Sequence, residues 1–135
     1  ELESIRYRIY PTLSGGEKQR VQIGRVLSQI WGNREQACLF LDEPTSALDL
    51  AHQIALLKTL RQIAKLGSTV MIVLHDINLA LRFAEHVVLL FDGRVLSSGT
   101  PLEVFSTDNM KTAFQVDIDI FTTDDPKRPF LIARD

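Results

Sequence analysis

Cysteine is nearly absent, with one residue, Cys38, in a chain of 135. An internal disulfide is therefore excluded, and the usage suits a reducing cytosol better than a secreted, disulfide-stapled scaffold. Long apolar runs are missing as well. The longest pieces, such as residues 69–74, fall far short of the roughly 20 residues that cross a bilayer. Positive charge is not in excess. Fifteen Lys and Arg against 17 Asp and Glu leave a net charge of −2, and no basic stripe extends beyond Lys18 and Arg20, so the electrostatic footprint of a nucleic-acid binder is lacking. No glycine is followed by lysine, so these residues contain no GxxxxGK(S/T) phosphate loop. These 135 residues display no internal repeat or low-complexity stretch, and no signal-peptide or lipidation pattern is read in them. What remains, 45% hydrophobic and 24% charged, is the composition of at most one globular domain able to bury a core, and it excludes disorder.

The apolar pattern alternates between two periods. Ile23, Leu27, Ile30 and Trp31 fall at helical spacing after Ser14 and predict a helix over 15–31. Gly32 and Asn33 stop it. A continuous apolar run over 37–41, closed by Asp42, Glu43 and Pro44, reads as a buried strand with a polar end. A second helix is predicted over 50–66, with Leu56, Leu60, Ile63 and Ala64 on one face and Gly67 as its stop. A second apolar strand follows over 69–74, ending in His75 and Asp76, and then a helix over 77–84 and a third apolar run over 87–91. Asp92 and Gly93 signal a hairpin into 94–98. Three strands apolar on both faces and separated by helices predict an α/β fold with a parallel sheet. Thr100, Pro101 and Glu103 are spaced as a capping box with proline at the first helical position, a further helix is predicted over 108–114, and the tail alternates as a terminal hairpin broken at 124–129.

Four places carry chemistry. Ser14, Gly15, Gly16 and Glu17 first read as a capping box, serine as cap and glutamate reaching back. Two glycines inside the first turn cost roughly 1 kcal/mol each against alanine, about cancelling a cap worth roughly 1 kcal/mol. Bare N–H groups at the positive end of a helix dipole let an anion such as phosphate approach closely, which explains the glycines better. Asp42 and Glu43 stand where an apolar strand emerges at its C-terminal edge, the ligand side of open α/β sheets, and strand alternation sends them to different partners, one suited to a metal and one to a water. The structural alternative is a solvated strand end entering a turn at Pro44. His75 holds the same place on the next strand. Asp76 already caps the following helix, leaving the histidine without a structural task, although a lone histidine there more often serves structure.

Their joint occurrence in order overturns the structural alternatives. LSGGEKQR at 13–20 resembles the signature motif of ATP-binding-cassette (ABC) ATPases, CLFLDEPTSALD at 38–49 resembles their Walker B strand and D-loop, and LHD at 74–76 resembles their switch-histidine motif. The resemblance implies the C-terminal part of an ABC-type ATPase core, a parallel sheet with flanking helices, divided into the end of a helical subdomain (1–33) and the C-terminal half of the core (34–135). It further implies ATP and Mg as ligands. Ser14, Gly15 and Gly16 would bind the γ-phosphate of ATP held by an opposite subunit, with Glu17 part of the same ATP-binding signature, and Asp42 would hold magnesium, usually through water. Glu43 would act as general base, Asp49 would communicate across a dimer, and His75 would contact the γ-phosphate. Phosphoryl transfer needs just such charge neutralisation and a positioned water.

The family's phosphate loop, adenine-stacking aromatic and Q-loop glutamine precede the signature motif, and none can be assigned here. Together with Glu1 in place of an initiator methionine, this gives the expectation of a piece of a longer ATPase subunit, inactive alone. HDINLALRFAEHVVLLFDGRVLSSGTPLEV at 75–104 resembles the ATPases of bacterial importers for iron chelates, haem and cobalamin. The longer connection at 30–36, with His52 and Gln53 after the D-loop, resembles the haem branch. The implied partners are a second ATPase subunit and transmembrane permeases, with no nucleic acid, at the cytoplasmic face of the inner membrane. Two rival functions are an ABC-type ATPase of DNA repair, chromosome structure or translation, which the acidic balance and lack of long heptads oppose, and a non-catalytic partner-binding remnant.

Overall fold

The computed structural model describes residues 2–30, 32, 37–122 and 129–134. The chain forms two compact units, residues 1–75 and 76–135.

In the first unit, short 3-10 turns at Glu3–Ile5 and Tyr10–Thr12 lead into helix α1, Gly15–Ile30. Trp31, the expected last residue of that helix, lies outside the described residues, as do 33–36. Strand β1, Cys38–Asp42, runs parallel to strand β2, Thr69–Val73, with Cys38 opposite Thr69 and Asp42 opposite Val73. Glu43 N–H donates to the Val73 carbonyl at 3.2 Å, which extends the ladder by one rung beyond β1. Between the strands lies helix α2, Leu50–Lys65, capped by Asp49, whose carboxylate accepts the His52 N–H. Ile23 of α1, Leu39 and Leu41 of β1, and Leu56, Leu60 and Ile63 of α2 share one core with Leu48, and Val70 and Ile72 of β2 pack against it. Each such leucine or isoleucine contributes about 1.5–3 kcal/mol on burial, so both helices are bound to one side of the pair by the i, i+3, i+4 stripe the sequence displays.

Among the described residues the other side is left exposed, which corrects the expectation of strands buried on both faces. Phe40 is 63% exposed, Met71 52% and Val73 40%. Phe40 alternates with the buried Leu39 and Leu41, and Met71 and Val73 alternate with the half-buried Val70 and Ile72, so the side chains that make the runs continuously apolar point away from the helices.

The second unit begins with Asp76, the cap of helix α3, Ile77–Phe83. Strand β3, Val87–Phe91, pairs antiparallel with strand β4, Arg94–Gly99. Among the described residues the parallel pairing is therefore confined to β1 and β2, whereas the sequence predicts a third parallel strand. The cause is local. Asp92 and Gly93 both take positive φ (49° and 70°), the pair a tight hairpin turn needs, and they fold 94–99 back along β3. Helix α4, Pro101–Val104, starts where Glu103 accepts the Thr100 N–H at 2.9 Å and its hydroxyl at 2.7 Å. Helix α5, Thr107–Phe114, ends on Gln115 in the left-handed conformation. Strands β5, Ile118–Thr122, and β6, Pro129–Ala133, form the expected terminal hairpin, whose connection lies outside the described residues. The Asn78 side chain of α3 holds β6 as a strand would, donating to the Leu131 carbonyl at 3.1 Å and accepting its N–H at 2.7 Å.

Candidate functional site

The ends of β1 and β2 bring Glu43 and His75 together. Parallel pairing in register sets the two chain exits side by side, and His75 Nε2 lies 2.5 Å from Glu43 Oε1. Glu43 adopts φ 43°, a left-handed conformation uncommon for a residue with a Cβ. Such backbone costs of order 1–3 kcal/mol and clusters at functional sites. Here it turns the chain directly off the strand into the buried Pro44. His75, left without a structural task in the sequence, thus has an acidic partner. Asp42, one residue earlier, is exposed and points to the opposite side of the strand from Leu41. Among the described residues no three His, Cys, Asp or Glu side chains converge on one point. Asp42 is the side chain here that could serve magnesium, a hard cation that keeps several waters and takes one or two carboxylates beside substrate phosphates.

Ser14, Gly15, Gly16 and Glu17 form the start of α1. The Ser14 N–H donates to Glu17 Oε2 at 2.7 Å and the Glu17 N–H to Ser14 Oγ at 3.3 Å, the reciprocal capping box expected from the spacing. Arg8 donates to the other Glu17 oxygen at 2.7 Å. These contacts, chiefly the Ser14 N–H, hold the Glu17 carboxyl below its usual range. Glu17 is thus engaged inside the chain. The glycines differ from each other. A side chain on Gly15 would meet nothing within 4 Å, whereas one on Gly16 would come within 2.9 Å of the Ala47 carbonyl. Gly15 leaves open space in front of a helix start whose first N–H groups lack intrahelical acceptors, and Gly16 is needed so that α1 can lie against loop 44–49.

The sequence locates that loop but not the side chains that hold it. Gln19 donates from α1 to the Pro44 carbonyl at 3.3 Å, and the Gln53 amide of α2 donates to the carbonyls of Thr45 at 3.1 Å and Leu48 at 3.0 Å. Asp49 caps α2, accepting the His52 N–H at 3.0 Å, while His52 Nδ1 lies 2.7 and 2.8 Å from its two oxygens. The backbone N–H first and the imidazole second hold the Asp49 carboxyl below its ordinary range. His52 stands three residues past the cap, the spacing of a capping partner, and that signal was available in the sequence; the contacts of Gln53 had none.

No protein-family model matches the chain. Relatives and solved structures do. The hemin import ATP-binding protein HmuV of Hahella chejuensis is 46% identical over 131 residues, 95% of this chain and 51% of the relative. That of Photobacterium damselae subsp. damselae is 39% identical over 132 residues, 98% of this chain and 50% of the relative. A metal-chelate type ABC transporter in an inward-facing conformation superposes with a TM-score of 0.77 at 25% identity, covering 94% of this chain and 50% of that one. A dimeric bacterial ABC transporter cassette gives 0.64 at 34%, covering 74% and 41%. The fold is that of the C-terminal half of an ABC transporter ATPase cassette. Within that class the chain is homologous, along nearly its whole length, to hemin import ATP-binding proteins. It spans about half the length of the curated relatives it matches.

Proposed function

We propose that this chain supplies the signature helix and the hydrolytic carboxylate of an ATP-hydrolysing subunit that powers import of haem or another iron complex. The observation that carries the reading is the Glu43 and His75 pair at the ends of two parallel strands, 2.5 Å apart, with Glu43 in a left-handed conformation. Glu43 takes the proton of the attacking water, the work of a general base. His75 holds Glu43 in place from one side and offers its imidazole to the γ-phosphate. Asp42, on the side of the strand opposite the buried Leu41, contributes one carboxylate to magnesium, which when bound neutralises phosphate charge. Ser14, Gly15 and Gly16 present the helix start to the γ-phosphate of a second subunit, with Gly15 as the open position, and Asp49 communicates between the two. In this reading residues 1–33 end the helical subdomain and 34–135 form the second half of the core.

The partners are a second ATPase subunit and transmembrane permeases, at the cytoplasmic face of the inner membrane. No helix among the described residues is long and apolar enough to cross a membrane, in keeping with a peripheral subunit. Haem as cargo is supported by the relatives, named for hemin import.

The phosphate loop absent from these residues must come from elsewhere. The test is a chimera in which the unmatched half of the Hahella chejuensis relative is joined to this chain. It is expected to hydrolyse Mg-ATP, and the 135-residue chain alone to show no hydrolysis; a folded chimera without activity would overturn the reading.

A further inference from the structure

Loop 44–49 connects the carboxylate end of β1 to the cap of α2, and its internal bonding is sparse. Ser46 donates to the Glu43 carbonyl from its N–H at 3.2 Å and its hydroxyl at 3.0 Å, and Leu48 N–H to the Thr45 carbonyl at 3.1 Å, two consecutive turns that leave the Leu48 carbonyl outside any turn bond. Both hydrogens of one side-chain amide, that of Gln53, close the gap, reaching the Thr45 and Leu48 carbonyls from the first turns of α2. On the opposite side, the α-carbon of Gly16 packs on the Ala47 carbonyl, and Gln19 grips Pro44. The loop is therefore clamped between two helices at Pro44, Thr45, Ala47 and Leu48. Glu43 lies just before the clamp and Asp49 just after it.

We infer that Gln53 is a positioning residue, whose amide fixes loop 44–49 in the one shape that lets the glycine-bearing start of α1, the Glu43 carboxylate and Asp49 act as a single body. The clamp itself is independent of the proposed activity; its consequence for hydrolysis rests on that reading. Gln53 touches no reacting atom. Its contribution is that displacement of Gly16 by an arriving phosphate is passed to Ala47, and from there to both ends of a stiff loop, instead of being absorbed by a soft one. The stiffness comes from Gln53 because no other side chain described here bonds two carbonyls of the loop.

The first readout uses the unaltered 135-residue chain. By NMR, the side-chain amide protons of Gln53 are expected to exchange with solvent roughly tenfold or more slowly than those of the exposed Gln62, as two hydrogen bonds require. Equal exchange overturns the proposal whatever any variant does. Gln53→Met keeps length and apolar stem but loses both donors. In that variant the backbone amides of Ser46 and Leu48 are expected to exchange about tenfold faster, while those of β1 and β2 stay protected. In the active chimera, Gln53→Met should lower kcat roughly tenfold with KM for ATP unchanged. A rise in KM at constant kcat, or unaltered kcat in a folded variant, overturns the positioning role. An inactive parent chimera would count against the proposed function alone, because the exchange measurements need no activity.

Discussion

Gly15 and Gly16 are neighbours in sequence and opposites in surroundings. A methyl group at Gly15 enters open space in a helical turn, where alanine is favoured over glycine by about 0.5–1 kcal/mol. A methyl group at Gly16 would press within 2.9 Å of the Ala47 carbonyl, an overpacking that costs about 1–3 kcal/mol. Urea melts of the chain should therefore show Gly15→Ala stabilised and Gly16→Ala destabilised. In the active chimera both should lose hydrolysis, Gly15→Ala despite its greater stability, because in the proposed function the open position in front of it receives phosphate. Full activity with Gly15→Phe would reduce the helix start to the capping box that Ser14 and Glu17 already form. The sequence discloses that two glycines there are costly for a mere cap. It does not disclose that one is open and the other pressed against a loop about 30 residues downstream, since that distance depends on tertiary packing.

Elements carried their own punctuation, and those signals were local enough to read. Asp49 and Asp76 cap α2 and α3 in the structure, Asp92 and Gly93 make the hairpin turn, and Glu103 folds back on Thr100. The apolar runs were less informative. A five-residue run such as Val87–Phe91 shows through Asp92 and Gly93 that β4 folds back along one edge, but nothing in the run itself says which strand lies along the other edge. Asn78 is the element-scale feature with no sequence signal. Its amide replaces a strand edge for β6, and both halves of that bond are lost in Asn78→Ala. With each bond worth about 0.5–1.5 kcal/mol, the expected loss is about 1–3 kcal/mol, with faster amide exchange confined to β6 and its partner β5. Unchanged protection at Leu131 would show that the hairpin holds β6 without Asn78.

For the molecule as a whole, the bare side of the β1 and β2 pair is the dominant physical fact. Phe40, Met71 and Val73 together with the exposed Cys38 present an apolar surface where a parallel sheet is ordinarily covered on both sides. The isolated chain is expected to self-associate with rising concentration in sedimentation velocity runs, under reducing conditions that exclude Cys38 crosslinks, and Phe40→Lys should weaken that association while preserving the circular dichroism spectrum. A chain monomeric at every concentration would mean that the surface is too small or too curved to drive contact. The residues that carry the proposed chemistry, Glu43, His75 and Ser14, were all legible because motif order does not depend on which side of the sheet is covered.

In the proposed function Glu43 performs the proton abstraction in a site this chain only half supplies. The direct test is steady-state hydrolysis of Mg-ATP by the chimera carrying Glu43→Gln, which preserves the shape beside His75 and removes the base. Turnover is expected to fall by about 10² to 10⁴, with binding of a fluorescent ATP analogue retained. Near-normal turnover in that variant, or hydrolysis by the 135-residue chain alone that Glu43→Gln abolishes, would contradict the account.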